Sequence, residues 1–242
     1  MSKHYPLDLY SALHTGNPGD IDFYLKACCG RGPVLELGCG AGRIGAALVD
    51  SGLEVHGVDI DPEAVTAARQ FGLQAVHADM RDFRIRRRFQ NIIIPYNGVY
   101  CLLSDESVVQ CLRTARRHLA PGGKIMLDGY AADGIDELVA DEVNVEDKQL
   151  VAEIQVGRRR YRVHERTRLD PTRQLVLAQY EYRPVTGGGP IRTSIRQRYL
   201  MSYQVPALLA EAGLMMTSLT GGYDDQPFTS DSEIMLIRAE RW

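Results

Sequence analysis

The sequence predicts an α/β fold: a mostly parallel sheet into which an antiparallel β-meander is inserted. Three observations carry this. Up to Tyr130, short apolar runs alternate with segments of helical periodicity. From Leu150 to Tyr203 period-two alternation takes over, as in Leu175, Leu177 and Gln179 against Val176, Ala178 and Tyr180. A helical stretch, Val205 to Ala212, and two further strand runs then resume the first texture. The expected division is a core of residues 1–145 and 204–242 with an N-terminal helical cap, and a meander of residues 146–203.

The bulk numbers suit this reading. The chain has 242 residues, enough for one α/β domain with an insertion. Hydrophobic residues make up 45% and charged residues 24%, an ordinary balance for a packed core. The net charge of −3 gives no general drive toward nucleic acid or anionic membrane. No apolar run reaches the roughly 20 residues that cross a bilayer, and the first residues lack an apolar signal segment, so a cytoplasmic setting is expected. Five cysteines without C-x-x-C spacing read as small buried hydrophobes rather than a disulfide framework or zinc site. No metal-ligand cluster is expected.

The most informative stretch is Val34 to Leu48, V-L-E-L-G-C-G-A-G-R-I-G-A-A-L. A buried strand, a glycine-rich turn and a helix start follow one another. Glycine permits positive φ and leaves no Cβ between backbone and ligand, and the N–H groups of a helix start then face that ligand. Gly40, Gly42 and Gly45 also satisfy the dinucleotide fingerprint G-x-G-x-x-G, with Asp59 where a ribose-binding acid is wanted. Counted from Gly38, which directly follows the strand, the third glycine position is Arg43, and the fingerprint fails.

The E-x-G-x-G-x-G pattern from Glu36 resembles the first motif of class I S-adenosylmethionine-dependent methyltransferases. The resemblance implies a Rossmann-like methyltransferase sheet, mostly parallel with an antiparallel last strand, and S-adenosyl-L-methionine as cofactor. Glu36, Gly38, Cys39, Gly40 and Arg43 would hold its methionine part. Asp59 ends the next strand, where open α/β sheets bind ligands, and can accept from two ribose hydroxyls; Ile60 follows it. Asp61 with Pro62 is better placed to cap the next helix. H-A-D-M-R-D-F resembles the adenine-binding segment, which gives that role to Asp79 and Met80. Pro95-Tyr96-Asn97-Gly98 ends the fourth strand beside the expected transfer point. It lacks the leading polar residue and second proline of nucleobase amino-methyltransferases, which counts against a nucleobase acceptor.

The N-terminal D-L-Y-S resembles the segment whose tyrosine contacts the sulfonium in small-molecule methyltransferases, here Tyr10. Tyr10, Asn97 and Tyr130 are the candidate catalytic residues, and Pro95 joins the cofactor set. The order of parts resembles bacterial sugar N,N-dimethyltransferases of antibiotic pathways, which implies a small-molecule acceptor methylated on N or O. The meander is free to serve as a lid or a homodimer surface. Of six histidines only His14 and His164 are candidates to overhang a pocket. The basic runs Arg84–Arg88 and Gly157–Arg162 read as solvated faces, which disfavours nucleic acid as partner. A nucleic-acid methyltransferase and a non-catalytic cofactor-binding module are the rival readings.

Overall fold

The computed structural model describes residues 5–135 and 148–242. The expected boundary at 145/146 and His4 lie outside these. The chain divides into two compact units, one of Met1–Thr15 with Gly134–Tyr199, the other of Gly16–Asp133 with Leu200–Trp242.

The larger unit is built on a seven-stranded sheet. Its strands are β1 (Val34–Leu37), β2 (Val55–Asp59), β3 (Gln74–His77), β4 (Phe89–Ile94), β5 (Leu119–Tyr130), β10 (Leu214–Thr220) and β11 (Ile234–Arg241), in the order β10-β11-β5-β4-β1-β2-β3. All pairs from β3 to β5 are parallel, and β11 runs antiparallel to both β5 and β10. The last strand is therefore the reversed one, as expected. Five helices belong to this unit: α2 (Asp20–Cys28), α3 (Arg43–Asp50), α4 (Pro62–Gln70), α5 (Asp105–His118) and α6 (Val205–Glu211).

Central strands of a parallel sheet covered on both faces should be apolar throughout. Ile92, Ile93 and Ile94 of β4 are fully buried. Each contributes about 1.5–3 kcal/mol of transfer free energy. The helices start where capping chemistry stands. Asp61 accepts from the Glu63 N–H at 2.8 Å with Pro62 at the first position, and Ser104 accepts from the Ser107 N–H at 3.2 Å. The Pro121-Gly122-Gly123 stretch is a register shift within β5, where Leu119 pairs with Phe89 but Lys124 with Asn91. A Cβ at Gly123 would come 2.9 Å from the Gln90 carbonyl, so glycine allows the two backbones to close.

The smaller unit holds α1 (Leu7–Leu13) and a four-stranded antiparallel sheet of β6 (Gln149–Val156), β7 (Arg159–Asp170), β8 (Leu175–Pro184) and β9 (Ile191–Arg198). One sheet face, with Tyr161, Val163, Tyr180 and Tyr182, packs on Leu9 of α1. The expected strand from Ile191 to Tyr203 stops at Arg198, and a 3-10 turn forms at Ser202–Gln204. The turn is held by a contact from 69 residues back in sequence. Asp133 draws Ser202 out of extended pairing by accepting from its hydroxyl at 2.5 Å and its N–H at 3.1 Å. The cysteine reading also needs correction. Cys28, Cys39 and Cys111 are buried, but Cys29 and Cys101 are exposed. No helix among the described residues is long and apolar enough to cross a membrane.

Candidate cofactor and transfer site

The site is assembled at the carboxyl ends of β1, β2, β3, β4 and β5. Gly38 and Gly40 follow β1 with φ of +69° and +52°, and a Cβ on either would meet nothing within 4 Å. The loop therefore leaves open space above it while adopting a backbone that L side chains rarely reach. Gly38 N–H donates to the Val58 carbonyl at 2.8 Å, which ties the loop to β2. Cys39 does not face that space; its thiol packs on Gly57, where an added Cβ would lie 2.7 Å from the sulfur, and burial raises its pKa.

Glu36, at 2% exposure, is nearly sealed from water beneath the loop, and its Oε2 finds no hydrogen-bond partner. Burial pushes its pKa up to about 8, against the opposing pull of Arg43. Arg43 opens α3 and forks onto the buried Asp20, Nη1 to Oδ1 at 3.0 Å and Nη2 to Oδ2 at 2.6 Å. Its guanidinium also lies 5.3 Å from the centre of the Tyr96 ring. Arg43 thus locks the start of α2 and the end of β4 to the glycine loop.

Asp59 accepts from Gly40 N–H at 2.7 Å and from Asp61 N–H at 2.9 Å, one on each oxygen. A carboxylate has about four acceptor sites, so both oxygens keep capacity for hydroxyls. Ile60 beside it is 68% exposed, an apolar surface with no cover from the chain. Asp79 is held in a fork by Arg81, with Nε to Oδ1 at 3.0 Å and Nη2 to Oδ2 at 2.5 Å, and this pair lowers its pKa. Met80 sits half-buried between them in sequence.

At β4 and β5 the structure brings Pro95, Tyr96, Asn97 and Tyr130 together with Asp128, which no motif marked. Pro95 is buried, and Tyr96 and Asn97 both adopt left-handed backbones, φ +51° and +62°. Such non-glycine pairs are costly and persist only when their surroundings hold them. Asp128 does this. It is fully buried, and its carboxylate accepts from the Tyr96 N–H at 2.9 Å, the Tyr24 hydroxyl at 2.5 Å and the Tyr223 hydroxyl at 2.9 Å. Burial pushes its pKa up to about 6, although all three donors favour the charge. Asn97 accepts from the Tyr130 N–H at 2.8 Å through its side-chain oxygen, and Tyr100 donates to the Tyr130 carbonyl at 2.8 Å. Asn97 and Tyr130, 33 residues apart in sequence, meet through the Asn97 amide and the Tyr130 backbone.

Tyr10 and both candidate histidines belong to the smaller unit. The Tyr10 ring lies 5.3 Å from Tyr5, edge to face, and 4.5 Å from the His14 ring. Tyr5 bridges His14 Nε2, at 3.2 Å, and the Tyr182 hydroxyl. Burial lowers the His14 pKa to about 4, so His14 is neutral at pH 7. His164 pairs with Glu181 across the strands, on the sheet face opposite Tyr161 and Val163. Among the described residues there is no group of His, Cys, Asp and Glu that could hold a metal ion.

Residues 34–123 match the methyltransferase domain family. The chain is 26% identical to the cypemycin N-terminal methyltransferase of a Streptomyces species, over 86% of this chain and 82% of that one. Other curated methyltransferases match about half of this chain, and it spans half their length or less. Among solved structures, the CcbJ methyltransferase of Streptomyces caelestis superposes with a TM-score of 0.79 at 22% identity, covering 98% of this chain and 93% of that one. The sugar N-methyltransferase KedS8 of a Streptoalloteichus species gives 0.75 at 19% identity, with 98% and 93% covered. With the glycine loop, the half-satisfied Glu36 and the free acceptor sites of Asp59 in place, the chain carries an S-adenosylmethionine-dependent methyltransferase domain.

Proposed function

We propose that the chain moves the methyl group of S-adenosylmethionine onto an amine nitrogen of a small-molecule acceptor. The observation that carries the cofactor part is Glu36, a buried carboxyl with one oxygen lacking a hydrogen-bond partner under an open glycine loop. A buried polar atom left so is costly unless a ligand completes it, and the cofactor's ammonium group is a donor of the right charge. Asp59 would hold the ribose hydroxyls and Ile60 would cover the adenine. Asp79 and Met80 would bound the adenine edge.

The bound cofactor supplies an electrophilic methyl on a sulfonium. The protein must hold the acceptor in line and keep water away. A free amine is nucleophilic without a strong base, whereas a hydroxyl acceptor usually wants one. The His14 imidazole, at a pKa of about 4, is a weak base for that task. Support for nitrogen also comes from the relatives, one named an N-terminal and another a sugar N-methyltransferase. We assign Tyr10 to aligning the sulfonium on the strength of the D-L-Y-S resemblance, and Asn97 and Tyr130 to shaping the transfer point.

The test has two arms. S-adenosylhomocysteine should raise the melting temperature by mass action, and NAD should not. Labelled cofactor is then offered with amino sugars, peptides with a free N-terminus, and phenols. Label in the amines supports the reading. Label in the phenols alone overturns the nitrogen assignment, and stabilisation by NAD alone overturns the cofactor.

A further inference from the structure

The C-terminal end of α5, at the end of the sheet remote from the glycine loop, gathers five arginines: Arg88, Arg113, Arg116, Arg117 and Arg241. Arg88 Nη1 donates to the carbonyls of Arg117 at 3.2 Å and Leu119 at 3.1 Å. Arg241 donates to Arg116 at 2.5 Å and Leu119 at 3.0 Å. Arg116 Nε donates to the Gly213 carbonyl at 2.9 Å, and its side chain lies flat on that glycine. Arg117 donates to the Thr114 hydroxyl at 2.8 Å.

These partners satisfy hydrogen bonds but not charge. Carbonyls and a hydroxyl are neutral, and a helix C-terminus offers only about half an elementary negative charge. Among the described residues the one carboxylate side chain paired into the cluster is Glu211, 3.1 Å from Arg113. The mutual repulsion registers on two neighbours. Arg88 and Arg116 both press the Arg241 pKa down, and Arg88 and Arg117 do so at His118, each adding to burial. Arg241 Nε is moreover buried without a hydrogen-bond partner. Arg113, Arg116 and Arg117 line a cleft of about 380 Å³ together with Glu211, Ala212 and Gly213, so that after the Arg113–Glu211 pair Arg116 and Arg117 are the cleft's unneutralised charges. A guanidinium has five donors in a rigid fork, so the forks retain N–H groups beyond those used on the carbonyls.

We infer that this cleft is an anion site, separate from the methyl-transfer site, that takes a phosphate-type dianion. Two negative charges in the cleft would sit against Arg116 and Arg117, with Arg88 and Arg241 bound to the neighbouring carbonyls, and relieve like-charge crowding that among the described residues Glu211 relieves only at Arg113. Tetrahedral oxygens also accept from several forks at once. The ion could come free or as a phosphate monoester, and the chemistry at the arginines is the same.

The test uses the whole chain. Melting temperatures are read in sodium phosphate and in sodium chloride of equal ionic strength, with O-phosphoserine as a third arm. The site predicts a rise in phosphate beyond chloride. A rise in phosphate alone assigns the free ion, and a rise in both arms assigns the monoester. The exposed Arg117→Gln keeps the fold and should reduce the rise at least twofold; Arg116→Gln should do the same. S-adenosylhomocysteine affinity should stay unchanged in Arg117→Gln, so loss of the anion effect is distinguishable from loss of the cofactor site. Equal melting temperatures in phosphate and chloride, or an undiminished phosphate effect in both variants, would overturn the proposal.

Discussion

Two buried carboxylates in the larger unit make opposite use of burial. Glu36 lies under the glycine loop with an oxygen that no donor reaches. Asp128, at the end of β5, accepts from Tyr24, Tyr96 and Tyr223. Burial raises the pKa of both, to about 8 and about 6. The difference teaches what each is for. An acid with one oxygen left without a donor is completed by a ligand, whereas an acid saturated by donors from three segments holds a shape. Here the shape is the left-handed turn at Tyr96–Asn97.

The largest effect should come from Asp128→Ala. It leaves the Tyr24 hydroxyl and the Tyr96 N–H buried without their acceptor. Each orphaned donor costs about 1–3 kcal/mol, so the urea midpoint should fall sharply. Glu36→Ala deletes a carboxyl that makes fewer bonds and should cost less stability. A larger stability loss at Glu36 than at Asp128 would reverse the comparison.

The two carboxylates also differ in how legible they were. Glu36, Gly38, Gly40 and Asp59 lie within one strand–turn–helix–strand unit, so spacing alone places them together. Asp59 bonding Gly40 N–H, 19 residues back, is the geometry that spacing implies. Asp128 gives no such signal. Its partners are 104, 32 and 95 residues away, on α2, after β4 and after β10. An aspartate closing a strand is read from sequence as a turn residue. The acid at the end of an apolar strand, beside Pro-Tyr-Asn in the neighbouring one, was the only available hint. The succession of strands and helices was legible from alternation and the meander from its period. The grouping of α1 with the meander rests on Leu9 meeting Tyr161, Val163, Tyr180 and Tyr182, a contact of high sequence separation.

Next in size is Asp59→Ala. A charged hydrogen bond to a ribose hydroxyl contributes about 1.5–3 kcal/mol, so S-adenosylhomocysteine should bind at least tenfold more weakly. The fold should survive, because the bonds Asp59 makes to the chain are to nearby backbone N–H groups such as those of Gly40 and Asp61. Calorimetry that finds unchanged affinity removes Asp59 from the site.

Glu36→Gln sharpens the comparison through pH. An acid whose folded pKa lies above its unfolded value stabilises the fold while protonated, and that contribution is lost as pH rises through the folded pKa. For Asp128 the loss is complete near pH 6, and for Glu36 it continues to about pH 8. Between pH 6 and 8 the ligand-free protein should lose roughly 1.4 kcal/mol per pH unit from Glu36. Glu36→Gln should flatten that slope, read from melting temperatures across the interval. The same protonation makes cofactor binding at pH 7 release a proton from Glu36, since a cation beside it favours the charged form. Binding heats should then depend on the buffer's ionisation enthalpy in the native protein but not in Glu36→Gln.

The smallest effect belongs to Tyr223→Phe, which removes one of the three donors to Asp128 and leaves its other two in place. A single hydrogen bond to a charged group contributes about 1.5–3 kcal/mol when buried, and less here because Tyr223 is only half-buried. About 1 kcal/mol is expected. The sharper readout is again pH. The Tyr223 hydroxyl favours the ionised form of Asp128, so its loss should drive that pKa further above 6. The protonated acid then stabilises the variant over a wider range, and the step in stability that the native protein completes near pH 6 should move upward. Tyr223 also accepts from the Asn17 side chain at 3.1 Å, which anchors the segment entering α2. If the step stays at its native pH while stability falls, Tyr223 serves the Asn17 anchor alone, and Asp128 is held by Tyr24 and the Tyr96 backbone without it.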